Sequence, residues 1–319
     1  MSCLKNRLPN QSDRIFLTDG GLETDMIFNK GFELPAFASH TLLASATGRR
    51  ALRAYFVSHL ELAAEVGAGF ILDTATWRAQ REFADALKTS PGALREANEQ
   101  AAAFAARLRS DYDNAASPVL VNGVVGPCGD GYAPDRIPTR EEAEAYHGEQ
   151  IRWLADAGVD FVSAITFTNT PEAVGFVRAA QGVDVPAVVS FTVETDGRLP
   201  SGQALDEAID QVDAETGAAP VYFMINCAHP THILPALDGG DWQQRLYGVR
   251  CNASKLSHAE LDACAELDCG NPVELAEDYL RLLDVLPHAN VFGGCCGSDL
   301  RHIQAIASQL MKRVPSVPA

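Results

Sequence analysis

Eight short apolar runs, each followed by sequence with helical or partly helical character, organise this chain. The runs cover residues 15–21, 70–76, 119–127, 161–167, 187–193, 222–228, 245–253 and 290–296. They are rich in Val, Ile, Phe or Thr and are nearly continuous rather than alternating. A parallel strand buried on both faces reads this way. Between them, residues 49–66 repeat apolar positions at helical spacing, with Glu and Arg on the other side. Residues 82–109 are long enough for two helices, with a break near Ser90-Pro91-Gly92. Residues 139–157 open on a capping box, Thr139 with Glu142. Residues 170–180, 205–216, 272–286 and 298–312 complete the predicted helices, the last starting at Ser298-Asp299.

Eight strand–helix units at this length predict the α/β class and a (β/α)8 TIM barrel in a single domain. The alternative is an open doubly wound sheet. No Gly-x-Gly-x-x-Gly follows the first strand and no Walker motif is present, so its usual support is missing. The expected map is an N-terminal tail over 1–13, the barrel over 14–312 and a proline-containing tail over 313–319. Two loops rich in turn residues, 129–138 and 194–203, follow strand ends and should cover the top of the barrel.

Composition narrows the partners. With 319 residues, 47% hydrophobic, the chain has ample material for one large core. A net charge of −17 argues against nucleic acid and anionic membranes, which would repel it. No run is apolar and long enough to span a bilayer, and the start lacks the apolar core of a signal peptide. A homo-oligomer remains open. The eight cysteines are Cys3, Cys128, Cys227, Cys251, Cys264, Cys269, Cys295 and Cys296. In so long a chain they read as reduced thiols in a cytoplasmic setting, where a cysteine cluster points to metal or catalysis.

Active-site groups of such a barrel sit at the C-terminal ends of strands. The first strand ends in Asp19-Gly20-Gly21 with Glu23 just beyond. The second ends in Asp73-Thr74-Ala75-Thr76-Trp77, the sixth in Asn226-Cys227 and the eighth in Cys295-Cys296. Cys227, Cys295 and Cys296 thus fall on one rim, and three thiolates are one short of a closed tetrahedral zinc site. Zn2+ is the expected metal. Thiolate ligands lower its Lewis acidity, which suits binding a further thiol better than activating water. The competing readings are buried structural thiols, a vicinal disulfide of Cys295 with Cys296, or a structural zinc completed by Cys251. His229 is the base that a zinc hydrolase or lyase would need. Trp77 is a candidate wall for a cationic donor.

The stretches Leu17-Thr18-Asp19-Gly20-Gly21-Leu22-Glu23-Thr24, Ile225-Asn226-Cys227 and Gly293-Gly294-Cys295-Cys296-Gly297 resemble the signatures of the homocysteine S-methyltransferase family. The resemblance runs from about Ile15 to Leu310. It implies a (β/α)8 barrel with zinc on Cys227, Cys295 and Cys296. It also implies an amino-acid pocket lined by Asp19, Gly20 and Glu23, with backbone N–H groups near Gly20-Gly21 for the carboxylate. The expected partners are a small thiol acceptor, homocysteine, and an onium methyl donor such as S-methylmethionine or a betaine. Thr74, Thr166 and Asn226 are further candidate contacts. Many members resembling this chain carry a glutamate late in the fourth strand, where it holds the substrate amino group. Here that stretch is Ser163-Ala164-Ile165-Thr166-Phe167, and Glu194 or Asp73 is the acid expected to replace it.

Overall fold

A computed structural model describes residues 8–132 and 136–313. The eight apolar runs contain β1 (Phe16–Leu17), β2 (Gly69–Asp73), β3 (Val119–Val125), β4 (Phe161–Phe167), β5 (Ala187–Phe191), β6 (Phe223–Asn226), β7 (Leu246–Cys251) and β8 (Val291–Gly294). Each strand pairs in parallel with the next, and β1 closes on β8. The architecture is the expected (β/α)8 barrel, and closure excludes the open sheet. Most runs outlast their strands because their last residues turn out of the ladder. Cys227, for example, takes φ 55, a left-handed value far from regular extended backbone.

Around the sheet lie α1 (Ala46–Val66), α2 (Pro91–Tyr112), α3 (Arg140–Asp156), α4 (Thr170–Gln181), α5 (Leu205–Thr216), α6 (Pro272–Val285) and α7 (Leu300–Arg313). The capping box of Thr139 with Glu142 forms as expected at the start of α3. Residues 82–109 do not make two helices. Ser90 caps a single helix, α2, and the segment before it holds only the short turn Arg81–Phe83. That segment is tied elsewhere: Arg78 donates to the carbonyls of Pro127 and Gly129, and Gln80 to that of Gly126. Likewise α7 starts at Leu300, two residues late, because Ser298 closes the cysteine turn. Its amide and hydroxyl both bond the Cys295 carbonyl. A short helix, His258–Ala263, was not predicted; Ser257 and Glu260 form its capping box.

Of the expected tails, residues 1–7 and 314–319 lie outside the described residues. Residues 8–12 are not loose. Leu8 is buried, and the Asn290 side chain donates to the carbonyls of Pro9 and Ser12, plugging the lower end of the barrel.

The barrel interior changes character with height, and this positions the site. Its lower layer is apolar, built by Phe16, Ile71, Leu120, Phe161, Val188, Tyr222, Met224 and Val291. Two residues further along several strands, the same face carries Asp73, Asn122, Ser163, Ser190 and Asn226. These side chains bond one another around the ring. Asn122 donates to Asp73 and Ser163 at 2.7 Å each, and Ser190 donates to Asn226 at 2.6 Å. A polar layer therefore sits on an apolar plug, and the cysteines sit at the level above it.

Candidate metal centre

The sulfurs of Cys227, Cys295 and Cys296 all lie within 4.8 Å of one another, as the sequence predicts. Among the described residues no other His, Cys, Asp or Glu joins this group. Cys227 follows β6, and the Cys295-Cys296 turn follows β8. The turn is pressed against the end of β1. A Cβ on Gly21 would lie 2.5 Å from the Cys295 carbonyl oxygen, so only glycine permits the approach. Gly297, at φ 78, turns the chain away again.

Cys227 Sγ is bonded to Cys295 Sγ in this structure. Three free thiolates were expected, and a disulfide sulfur is not one; a metal would bind here only with that pair reduced. The bond is not the vicinal one between Cys295 and Cys296. The remaining spacing suits a metal: Cys227 and Cys296 are 3.9 Å apart. Two sulfurs sharing a tetrahedral zinc at about 2.3 Å each stand about 3.8 Å apart. The soft, all-sulfur donor set fits zinc on chemistry as well.

Neighbouring side chains address each sulfur. Tyr132 Oη lies 3.4 Å from Cys296 Sγ, Thr166 Oγ1 donates to Cys227 Sγ at 3.8 Å and Asn226 Nδ2 to Cys295 Sγ at 3.9 Å. Burial raises the Cys296 thiol above its usual value, and the Tyr132 hydrogen bond pulls against that rise. Thr166, itself at φ 67, is locked by Asn226, which accepts its amide and donates to its hydroxyl. Thr166 and Asn226 were expected to touch substrate; in this structure both reach the sulfurs.

The other candidates divide. Asp19 is buried, and burial together with the Asp73 and Glu23 charges pushes it up to about 7 against the pull of Arg250. Gly21 gives its amide to the Ser298 carbonyl, so that N–H is not open to a substrate carboxylate. Thr74 is occupied by the sheet: its hydroxyl accepts from the Val124 amide and meets Thr76. Trp77 donates to the Ile165 carbonyl, and the Arg78 guanidinium covers its ring at 3.9 Å. The cation on that ring face is the protein's own.

Two competing readings fail, Cys251 by strand alternation and His229 because it caps the short helix Pro230–Ile233 beyond β6. Cys251 points out of the barrel toward α6, where the Tyr279 hydroxyl accepts from its amide, and burial pushes its thiol up to about 12. It is no fourth ligand. His229 also faces outward, bonded to Thr231 and 3.8 Å from Asp278, so it is not a base at the sulfurs. Asp73 does not stand free to replace the missing strand-four acid, and neither does Glu194. Asp73 is paired with Arg250, and Glu194 lies 3.0 Å from His258 Nδ1.

Sequence reasoning missed three residues here. Arg250 crosses the barrel from β7 to Asp19 on β1 and Asp73 on β2. Burial works against its charge, but the two carboxylates more than offset that and hold it protonated. The signal available was an arginine in the middle of the seventh apolar run, which already opens on Arg245. Tyr132 and His258 stack at 4.1 Å over the cysteines, with His258 Nε2 2.6 Å from the Cys227 carbonyl. Tyr132 comes from a loop and His258 from the first turn of the unpredicted helix His258–Ala263, and neither carried a spacing signal.

The family model for homocysteine S-methyltransferase matches residues 16–310. Homocysteine S-methyltransferase 3 of Arabidopsis thaliana is 24% identical over 207 residues, 60% of this chain and 58% of that protein. Homocysteine S-methyltransferase 1 of Brassica oleracea var. italica is 23% identical over 176 residues, 54% of this chain and 53% of that protein. The match thus spans just over half the length of these curated relatives. Among solved structures, the homocysteine methyltransferase MmuM of Escherichia coli aligns in its metallated form with a TM-score of 0.73, at 22% identity, covering 94% of this chain and 97% of that one. Its oxidized form aligns with a TM-score of 0.75, at 23% identity, covering 96% and 99%. Likeness at these identities establishes the shared barrel.

Proposed function

The chain belongs to the homocysteine S-methyltransferase family, and on that premise we propose that it moves a methyl group from an onium donor to the sulfur of homocysteine. The donor class is S-methylmethionine or a betaine, and the product is methionine. The observation that carries this reading is the convergence of three sulfurs on one rim with no fourth protein ligand among the described residues. Reduced Cys227, Cys295 and Cys296 would hold zinc, which when bound supplies a Lewis acid that favours the anion of an incoming thiol.

The chain's own side chains do the rest. Thr166 and Asn226 direct hydrogen-bond donors at the sulfurs, the Tyr132 hydroxyl meets Cys296 Sγ, and together they fix the sulfurs' orientation, as outer partners of a metal site do. Gly20, at the end of β1, offers backbone close to the cysteine turn for the acceptor carboxylate. The acceptor sulfur's lone pair forms the new C–S bond as the donor's bond to its methyl carbon breaks. The donor then leaves neutral, so no base is needed at that step. Positioning is the main contribution expected of such a site.

The test is a donor screen on the reduced, zinc-loaded protein with homocysteine, reading methionine by mass spectrometry. Methionine formation with S-methylmethionine or a betaine supports the reading. No methionine with any onium donor, from protein shown to carry zinc, overturns it.

A further inference from the structure

Strand β4 brings no carboxylate to the site, so an ammonium near the sulfurs must find its counter-charge elsewhere. The buried and half-buried carboxylates around the site include Asp19, Glu23, Asp73 and Glu194, whereas Asp262, whose charge also reaches Cys296, is exposed. Arg250 takes two of them. Its Nη2 is 2.5 Å from Asp19 Oδ1, its Nη1 bonds Asp73 Oδ2, and Asn122 occupies the other Asp73 oxygen. Glu194 is engaged by His258. Glu23 differs from all three. Its partner is a neutral hydroxyl, Ser39, which donates at 2.8 Å, and among the described residues it has no salt bridge. It is also half-buried rather than closed off like Asp19, so a ligand entering from the top can meet it.

We propose that Glu23 is the specificity-determining residue that holds the acceptor's ammonium, doing from the end of β1 what no residue of β4 does here. The proposal rests on the homocysteine reading above. Position supports it. Glu23 lies four residues after Asp19 on the segment packed against the Cys295-Cys296 turn: Gly21 approaches the Cys295 carbonyl, and Thr24 Oγ1 accepts from the Gly297 amide at 3.2 Å. Burial raises Glu23 itself, against the Ser39 hydrogen bond and the charge of Arg250, which makes no salt bridge with it, as expected of a carboxylate without a paired cation. An arriving ammonium supplies that cation.

Titration calorimetry on the reduced, zinc-loaded protein separates the possibilities. The ligands are homocysteine and 4-sulfanylbutanoate, the same thiol acid without the amino group. The unmodified protein should bind homocysteine tighter by about tenfold or more, the scale of one charge-assisted hydrogen bond. Glu23→Gln should bring the two affinities together by weakening homocysteine alone. Glu23→Asp, which keeps the charge, should retain part of the preference. Zinc content, checked for each variant, shows that the centre is intact. A preference undiminished in Glu23→Gln overturns the role of Glu23, as does equal binding of both thiols by the unmodified protein. Failure of both thiols to bind the zinc-loaded protein instead sinks the acceptor reading, and this inference with it.

Discussion

Cys227, Cys295 and Cys296 bring their sulfurs within 4.8 Å of one another above β6 and β8, and Cys128, His147 and Glu172 bring their ligand atoms equally close between the β3 loop, α3 and α4. By residue type and spacing both are metal sites. Their hydrogen bonds say otherwise. Glu172 accepts from the Cys128 amide at 2.6 Å, meets His147 Nε2 at 2.9 Å and accepts from Asn169 at 3.0 Å. Its capacity is fully engaged inside the protein. Burial and the Glu172 charge both raise the Cys128 thiol, whereas at Cys296 the rise from burial is opposed by the Tyr132 hydrogen bond. Around the other cluster, donors point at the sulfurs, which favours negative charge on them. Proximity of ligand-type atoms is therefore a weak sign of a metal site; the direction of the surrounding hydrogen bonds is a stronger one.

The sharpest way to break this comparison is metal content after reduction. Cys296→Ser should fall from about one zinc per chain to near none. Cys128→Ser should keep the full complement. Equal losses in both variants would erase the distinction drawn here.

Stability should respond in the opposite sense. Glu172 is buried between a helix start and a loop, and replacing His147 with Ala leaves its carboxylate without its main partner. We expect a loss of about 3 kcal/mol in chemical unfolding, with zinc content unchanged. The pH dependence gives a second measure. Burial pushes Glu172 up, but His147 and the Cys128 amide outweigh it and hold it below the usual glutamate value. A carboxyl lowered in the fold stabilises above its unfolded value, and that stability is lost as pH falls through the folded one. Glu172→Gln should flatten this acid limb. An unaltered acid limb would mean that the cluster does not tie the helix to the loop.

The same contrast explains what was legible in the sequence. The eight strands were readable because burial on both faces makes each run apolar, and the cysteines because they end two of those runs. The polar layer was not readable. Asn122, Ser163 and Ser190 sit inside runs whose outward neighbours are apolar, and a nearly continuous run hides which face is polar. Arg250 was hidden the same way. Alternation would have helped, since it places Arg250 inward and Cys251 outward and so removes Cys251 as a ligand. The double role of Thr166 and Asn226 was out of reach. It depends on the left-handed backbone at Thr166 and Cys227, which non-glycine residues rarely adopt and no spacing announces.

Asn226 should give the next largest effect. Its side chain fixes the Thr166 amide and hydroxyl and reaches Cys295 Sγ. Asn226→Ala removes all three supports, and zinc affinity measured against a competing chelator should fall by about tenfold. An unchanged affinity would mean that the sulfurs are placed by their turns alone.

Tyr132 is the finest probe, because its two contributions separate cleanly. Its ring stacks on His258, and its hydroxyl meets Cys296 Sγ. Tyr132→Phe keeps the stack and removes only the hydroxyl, so the loop over the cysteines should stay in place. If that hydroxyl donates to a sulfur carrying negative charge, zinc affinity should fall by about threefold while unfolding stability stays the same. If instead the thiol donates to the tyrosine oxygen, the sulfur loses nothing it needs as a ligand, and affinity should hold. The chelator competition then reports the direction of a single hydrogen bond, the property on which the distinction between the two clusters stands.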